Sequence, residues 1–295
     1  MACVTIKKPE PTLDAWVEPL KPDPDVWRGV PRQRSRGVGR FSIRQEGRSR
    51  LESLLQEGSA KVRFSNPTDT ACDAVLINTG GGLTGGDQFA WCIDLGDDAR
   101  CTVVTQACEK IYRADGDDAT VSVDLKVGRR ARLDWLPQET ILFDGARLER
   151  TFDIQLAKAA RCLAVEAVLL GRRAMGEHTP FVYLRDRWRV WKDEVLIFAD
   201  EVRLDQTLGA GAALLNGAGA YASVLYVGDD HDERAARVRD LIEAGRDHVH
   251  GGASAFEGKL FCRMLARDGL GLRRVLVPVL EALRDGEALP RLWTI

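Results

Sequence analysis

The segment Gly80, Gly81, Gly82, Leu83, Thr84, Gly85, Gly86 and Asp87 has the glycine density of a loop that cradles phosphate. Such a loop also needs a lysine followed by serine or threonine after the last glycine, and this chain has Asp87 and Gln88 there. A carboxylate at that point repels phosphate, so no nucleotide site is assigned. Gly81, Gly82, Gly85 and Gly86 are read instead as a structural loop, closed by Asp87, where backbone takes positive φ or approaches another segment closely.

Other reactive residues are too scattered to assemble a recognisable centre. The four histidines, His178, His231, His248 and His250, form no His-Glu-x-x-His helix, and no cysteines take structural zinc spacing. His248 and His250 would share a strand face, but Gly251 and Gly252 point to a turn, so an ordinary surface role is read for the pair. No serine sits in a Gly-x-Ser-x-Gly elbow. Cys108, beside Glu109 and Lys110, has no histidine near it in sequence. Asp144, Glu139, Glu166 and Glu177 could supply a hydrolytic carboxylate pair, although acids at strand ends are more commonly solvated or ion-paired.

Composition narrows the classes further. With 295 residues, 45% hydrophobic and 29% charged, the chain can bury a substantial core. Its 42 basic and 44 acidic residues give a formal charge of -2, so no overall field draws it to nucleic acid. Arg28, Arg32, Arg34, Arg36 and Arg40 form a local basic stretch, read as a solvated arm. Seven cysteines without a Cys-x-x-Cys pair argue against a disulfide framework, and most lie in apolar runs as small core residues. No apolar run reaches the roughly 20 residues that span a bilayer, and the start lacks a secretory signal, which makes cytoplasm the expected compartment.

The elements that would position any site are mostly strands. Residues 1–36 carry Pro9, Pro11, Pro19, Pro22, Pro24 and Pro31 and are expected to form a flexible extension. Residues 37–295 are expected to form one domain, its β-rich body running from about 60 to 204. Val121, Val123, Leu125 and Val127 alternate cleanly with polar residues, and similar short runs recur to Leu204. No helical run separates them, which disfavours a βαβ parallel fold and leaves stacked sheets, a barrel or a β-solenoid. From about 205 to 295 the texture is mixed. A strand is expected at Tyr221–Val227, a helix through Ala235, Val238, Leu241 and Ile242, and a second helix carrying Leu272, Val275, Leu276, Val279, Leu280 and Leu283. Pro278 is expected to kink or split that last helix.

Read in full, Ile77-Asn78-Thr79-Gly80-Gly81-Gly82-Leu83-Thr84-Gly85-Gly86-Asp87 closely resembles the signature of the UreD family of urease accessory proteins, called UreH in some organisms. Thr105-Gln106-Ala107-Cys108-Glu109-Lys110-Ile111-Tyr112-Arg113 resembles its next signature, and the run from Trp135 to Asp144 the third. Similarity continues at Leu170-Gly171-Arg172 through Gly176-Glu177 and at Pro290-Arg291-Leu292-Trp293. Together the blocks span roughly residues 45 to 295 in family order. Many relatives carry His-Pro-Pro before the paired glycines; Asn78-Thr79-Gly80 stands here and removes a histidine from that entry.

The resemblance implies an elongated, mainly β structure, a β-helix-like or stacked-sheet body with a small C-terminal helical portion. It implies a non-catalytic scaffold that works with UreF, with the nickel-carrying GTPase UreG and with apo-urease, and leaves room for a dimer within the accessory complex. No tightly bound cofactor is implied, only nickel in transit through an internal passage. On that reading Asp144 and Glu177, acids inside matching blocks, are the first candidates for the nickel path, with Glu139, Glu109 and Gln106 after them. Leu276, Val279, Leu280 and Leu283 on the terminal helix are candidates for contact with UreF, although such a stripe is about twice as often core as partner surface.

Overall fold

Alternating apolar side chains drive strand after strand to bury one face, and two sheets result. The computed structural model describes residues 34–65, 71–171, 176, 181–207 and 215–293. In chain order the strands are β1 (Arg36–Glu46), β2 (Arg48–Gly58), β3 (Ala60–Phe64), β4 (Cys72–Asn78), β5 (Gln88–Leu95), β6 (Arg100–Thr105), β7 (Glu109–Ile111), β8 (Ala119–Val127) and β9 (Arg132–Leu136). They continue with β10 (Thr140–Leu142), β11 (Arg147–Leu156), β12 (Arg161–Leu170), β13 (Phe181–Lys192), β14 (Val195–Thr207) and β15 (Ala220–Val227). Helix α1 (His231–Ala244), β16 (Val249–Phe256), β17 (Lys259–Ala266) and α2 (Gly269–Leu283) complete the chain.

One sheet has the order β14-β13-β11-β8-β5-β1-β2; the other runs β16-β17-β15-β12-β9-β6-β4-β3, with β7 and β10 beside it. Between β4 and β13 the long strands alternate between the sheets. Each new strand lies parallel to its predecessor in its own sheet, as in β5 on β1, β8 on β5, β6 on β4 and β9 on β6. Parallel pairing normally needs a helical crossover. Here passage to the opposite sheet makes the return instead, so the helix-free stretch is compatible with parallel strands after all. The body is thus a stacked-sheet β-solenoid, mainly β, closed at its ends by antiparallel hairpins such as β1–β2 and β13–β14.

The strands start at Arg36, ahead of the Ala60 expected from periodicity. β1 hides its pattern because Gly37 and Gly39 occupy inward positions, where a Cβ would strike the rings of Phe89 and Trp91. The missing side chains make room for aromatic ones on β5. Gly251 and Gly252 likewise sit inside β16 rather than in a turn, and a Cβ on Gly251 would collide with the backbone of Arg263.

Two cores result. The first fills the space between the sheets, from Phe41 and Ile43 to Trp188 and Leu225. The second lies on the outer face of the β12-containing sheet, where α1 and α2 cover Leu136, Leu163, Val165 and Val224. The central strands of that sheet, β12 and β15, are buried on both faces. In β9, Leu133 and Trp135 point to the first core, Leu136 to the second.

Leu276, Val279, Leu280 and Leu283 are all at most 1% exposed. This corrects the partner-contact reading: the stripe is the inner face of α2, and each leucine stabilises that packing by roughly 2 kcal/mol. The helix passes through Pro278 without ending. Arg274, whose carbonyl loses its helical donor, is exposed, so solvent can satisfy that carbonyl while packing holds the opposite face.

Candidate functional site

Between the sheets, under the glycine-rich connection, lies a cavity of about 60 Å³, room for a few water molecules. Leu76, Leu83, Phe89, Trp91 and Val123 line much of it. Thr105, Glu109, Gln138, Thr140, Arg150 and Glu166 add polar groups. Most come from strands or strand ends, so their positions are set by the sheet register, while Leu83 and Gln138 are held in the connections between strands.

The rim is built by the glycine segment. Gly81, Gly82 and Gly86 take φ of +76°, +148° and +83°, values that disfavour any side chain. Gly85 serves by close approach, since a Cβ there would meet the carbonyl oxygen of Asp117. Asp87, 4% exposed, accepts from the amides of Ser35 at 2.7 Å and Thr84 at 2.8 Å. Its carboxylate therefore fastens the start of β1 to the loop.

Just inside the rim, Asn78 donates through Nδ2 to Glu109 Oε1 at 3.1 Å and to the Gly82 carbonyl at 3.3 Å. No salt bridge reaches Glu109 among the described residues. Burial pushes its carboxyl up to about 7, with the Asn78 bond pulling weakly the other way. Near neutral pH it can thus hold or release a proton.

At the deep end Arg150 lies between two carboxylates. It donates through Nε to Asp186 Oδ1 at 3.1 Å, through Nη2 to Asp186 Oδ2 at 2.7 Å and through Nη1 to Thr140 Oγ1 at 3.2 Å. The same Nη1 makes a short contact with Glu166, whose other oxygen accepts from Trp135 Nε1 at 3.0 Å. Arg150, Glu166 and Asp186 are at most 4% exposed. Burial drives Glu166 up to about 7 against the pull of Arg150, and Asp186 adds repulsion. Arg150 itself is raised, its two carboxylates outweighing the burial that lowers it, and it keeps its proton.

The acids singled out by sequence fall in different places. Asp144 lies outside the cavity lining, ion-paired with Arg113 and accepting from the Phe181 amide at 3.0 Å. Glu139 is 2% exposed and faces away from the cavity toward α2. There Arg273 donates to it through Nε at 2.6 Å and Nη2 at 2.8 Å. Burial raises Glu139, and Arg273 more than offsets this, leaving the carboxyl below its usual range. Gln106 is exposed. Glu177 lies outside the described residues. Of the four that the structure describes, only Glu109 lines the cavity. Cys108 is pushed up to about 11, by burial first and then by Glu139, so its thiol is no poised nucleophile. Among the described residues, no group of three or more His, Cys, Asp or Glu side chains is placed to hold a metal ion, and no helix is long and apolar enough to cross a membrane.

Arg150 and Asp186 were not found from sequence, though a signal existed. Arg150 stands where an apolar residue belongs in the alternation Leu148, Phe152, Ile154, and Asp186 interrupts Val182, Leu184, Trp188, Val190 in the same way. A charge at an inward strand position marks a buried polar network.

A family profile described as UreD urease accessory protein matches residues 35–294. Proteins called urease accessory protein UreD are similar throughout. The one from Rhizobium johnstonii is 47% identical over 271 residues, covering 90% of this chain and 98% of that protein. A Chelativorans homologue is 47% identical over 269 residues, 90% and 96% of the two chains. The Sinorhizobium medicae protein is 41% identical over 271 residues, 89% and 97%. With the profile covering nearly the whole β-solenoid and its helical cover, the chain belongs to the UreD family of urease accessory proteins.

Proposed function

We propose that this chain acts as a non-catalytic scaffold in urease maturation, joining UreF, UreG and apo-urease in the cytoplasm and passing nickel through its interior. Family membership carries the accessory role. The nickel path is supported by one observation above all: a mainly apolar cavity between the sheets has the carboxyl of Glu109, which no guanidinium or ammonium neutralises among the described residues, directly beneath its rim. A carboxylate is a hard oxygen donor, and one that titrates near neutrality can exchange a proton for a divalent ion without a tight site. Weak contacts of this kind let an ion enter and leave.

Glu109 therefore replaces Asp144 as the first candidate on the route, because Asp144 is neutralised by Arg113 outside the cavity. Glu177 remains a proposed member of the path.

The test is reconstitution of apo-urease with nickel, bicarbonate, UreF and UreG, using the wild-type chain or Glu109→Gln. Nickel loading is expected to fall while co-purification with UreF and apo-urease is unchanged. Equal loss of loading and assembly would assign the chain a purely structural role, and unchanged loading would remove Glu109 from the path.

A further inference from the structure

The deep end of the cavity holds more than an ion pair. Glu166 and Asp186 approach Arg150 from opposite sheets, β12 and β13, and Thr140 joins them through its hydroxyl. Tyr221 sits on β15, where Glu166 pairs with Ser223 and Val168 with Tyr221, so its ring shares the inward face with Glu166 one pleat away. It is 2% exposed, and its hydroxyl has no hydrogen-bond partner in the structure. Asp186, Arg150 and Glu166 are among the charges that act on it. A buried hydroxyl left without a partner costs free energy, which makes it a pointer to an occupant.

Two carboxylates, a threonine hydroxyl and an orphan tyrosine hydroxyl make a set of hard oxygen donors. One guanidinium serves both carboxylates, so the cluster carries one negative charge in excess when both are ionised. A divalent ion in place of Arg150 would neutralise the pair completely. The side chain of Arg150 lines the cavity, so open space lies beside the guanidinium.

We propose that Arg150 is a displaceable counter-ion that keeps shut a divalent-cation site formed by Glu166, Asp186, Thr140 and Tyr221. In the closed state its positive charge repels a cation that has come past Glu109. When the guanidinium swings into the cavity, the four oxygen-bearing groups face an ion instead. This rests on the nickel-path reading for its biological cargo, but the site itself is a property of these side chains. The guanidinium thus sets how far a cation penetrates, which makes Arg150 a positioning residue of the route.

The experiment uses the full chain and nickel(II) alone. Arg150→Met removes the charge, and Arg150→Lys keeps a cation but loses the planar fork that holds Asp186 through two donors while reaching Glu166. Both variants are expected to bind nickel by calorimetry at concentrations where the wild type binds none at this site. Their lowered Tm should recover by about 5 °C at a hundredfold excess over Kd. Adding Glu166→Gln to Arg150→Lys should abolish both effects, and Tyr221→Phe in the same background should weaken them. Nickel binding by Arg150→Lys that is no better than wild type, or that survives Glu166→Gln, overturns the proposal, and that variant decides if Arg150→Met does not fold.

Reconstitution with apo-urease separates this inference from the wider reading. If the Arg150 variants bind nickel while Glu109→Gln leaves loading intact, the site stands and the route falls. If loading depends on Glu109 while Arg150→Lys binds no nickel, the route stands and the counter-ion proposal falls.

Discussion

Buried carboxylates meet arginine on both sides of the sheet that contains β12, in opposite proportions. On the outer side, Asp134 is flanked by Arg132 at 3.1 Å and Arg284 at 3.0 Å, and Glu139 takes both prongs of Arg273. Arg273 also donates to the Trp293 carbonyl at 3.2 Å, while Gln138 Nε2 donates to the Leu292 carbonyl at 2.6 Å. Trp293 Nε1 in turn donates to the Leu136 carbonyl at 2.9 Å. Here every buried acid has at least one guanidinium, and the result is a clasp that fixes α2 and the terminal Pro290–Trp293 segment to β9. On the inner side Arg150 serves two acids, and Glu109 has no guanidinium, only the amides of Asn78 and Lys110. Charge balance thus distinguishes a region whose buried acids are each matched by guanidinium from one whose acids outnumber it.

The largest expected effect breaks the balanced side. Arg273→Ala leaves Glu139 buried without its partner and should destabilise the fold by about 3–5 kcal/mol, read from urea unfolding. A loss below about 1 kcal/mol would mean that the clasp is not structural.

On the side where acids outnumber arginine the sign reverses. The folded carboxyl of Glu109 is raised to about 7 from its ordinary 4.5, so the folded state binds this proton more tightly than the unfolded chain. Its contribution favours folding at low pH and is lost as pH rises from about 4.5 to about 7. Glu109→Gln should therefore flatten stability across that window and raise it by about 1–2 kcal/mol above pH 7. Destabilisation by this variant at pH 8 would show that Glu109 belongs with the balanced set.

Asp144→Asn should do least. Its ion pair with Arg113 is substantially exposed, and its loss is expected to cost about 0.5 kcal/mol in chemical denaturation. A cost as large as that of Arg273→Ala would show that the exposed rim shares the role of the clasp.

Much of the strand order was legible because alternation survives wherever one face meets solvent. β8 was found at nearly its observed bounds. β1 was missed because two inward positions are glycine, and β16 because glycines normally signal turns. The stripe on α2 was legible as a face, but not what it faces. A helix buries the same residues whether the covering surface belongs to its own chain or to another.

The amino-acid sequence alone determined the family, the mainly β class, the glycine loop as backbone rather than phosphate chemistry, and Glu109 as one acid among several. Only the tertiary structure decided which acids are neutralised. Sequence places a carboxylate on a strand, but the arginine that balances it comes from another element, 36 residues away for Arg150 and Asp186 and 134 away for Glu139 and Arg273. Electrostatic energy depends on distance through the folded interior, and separation along the chain does not report that distance.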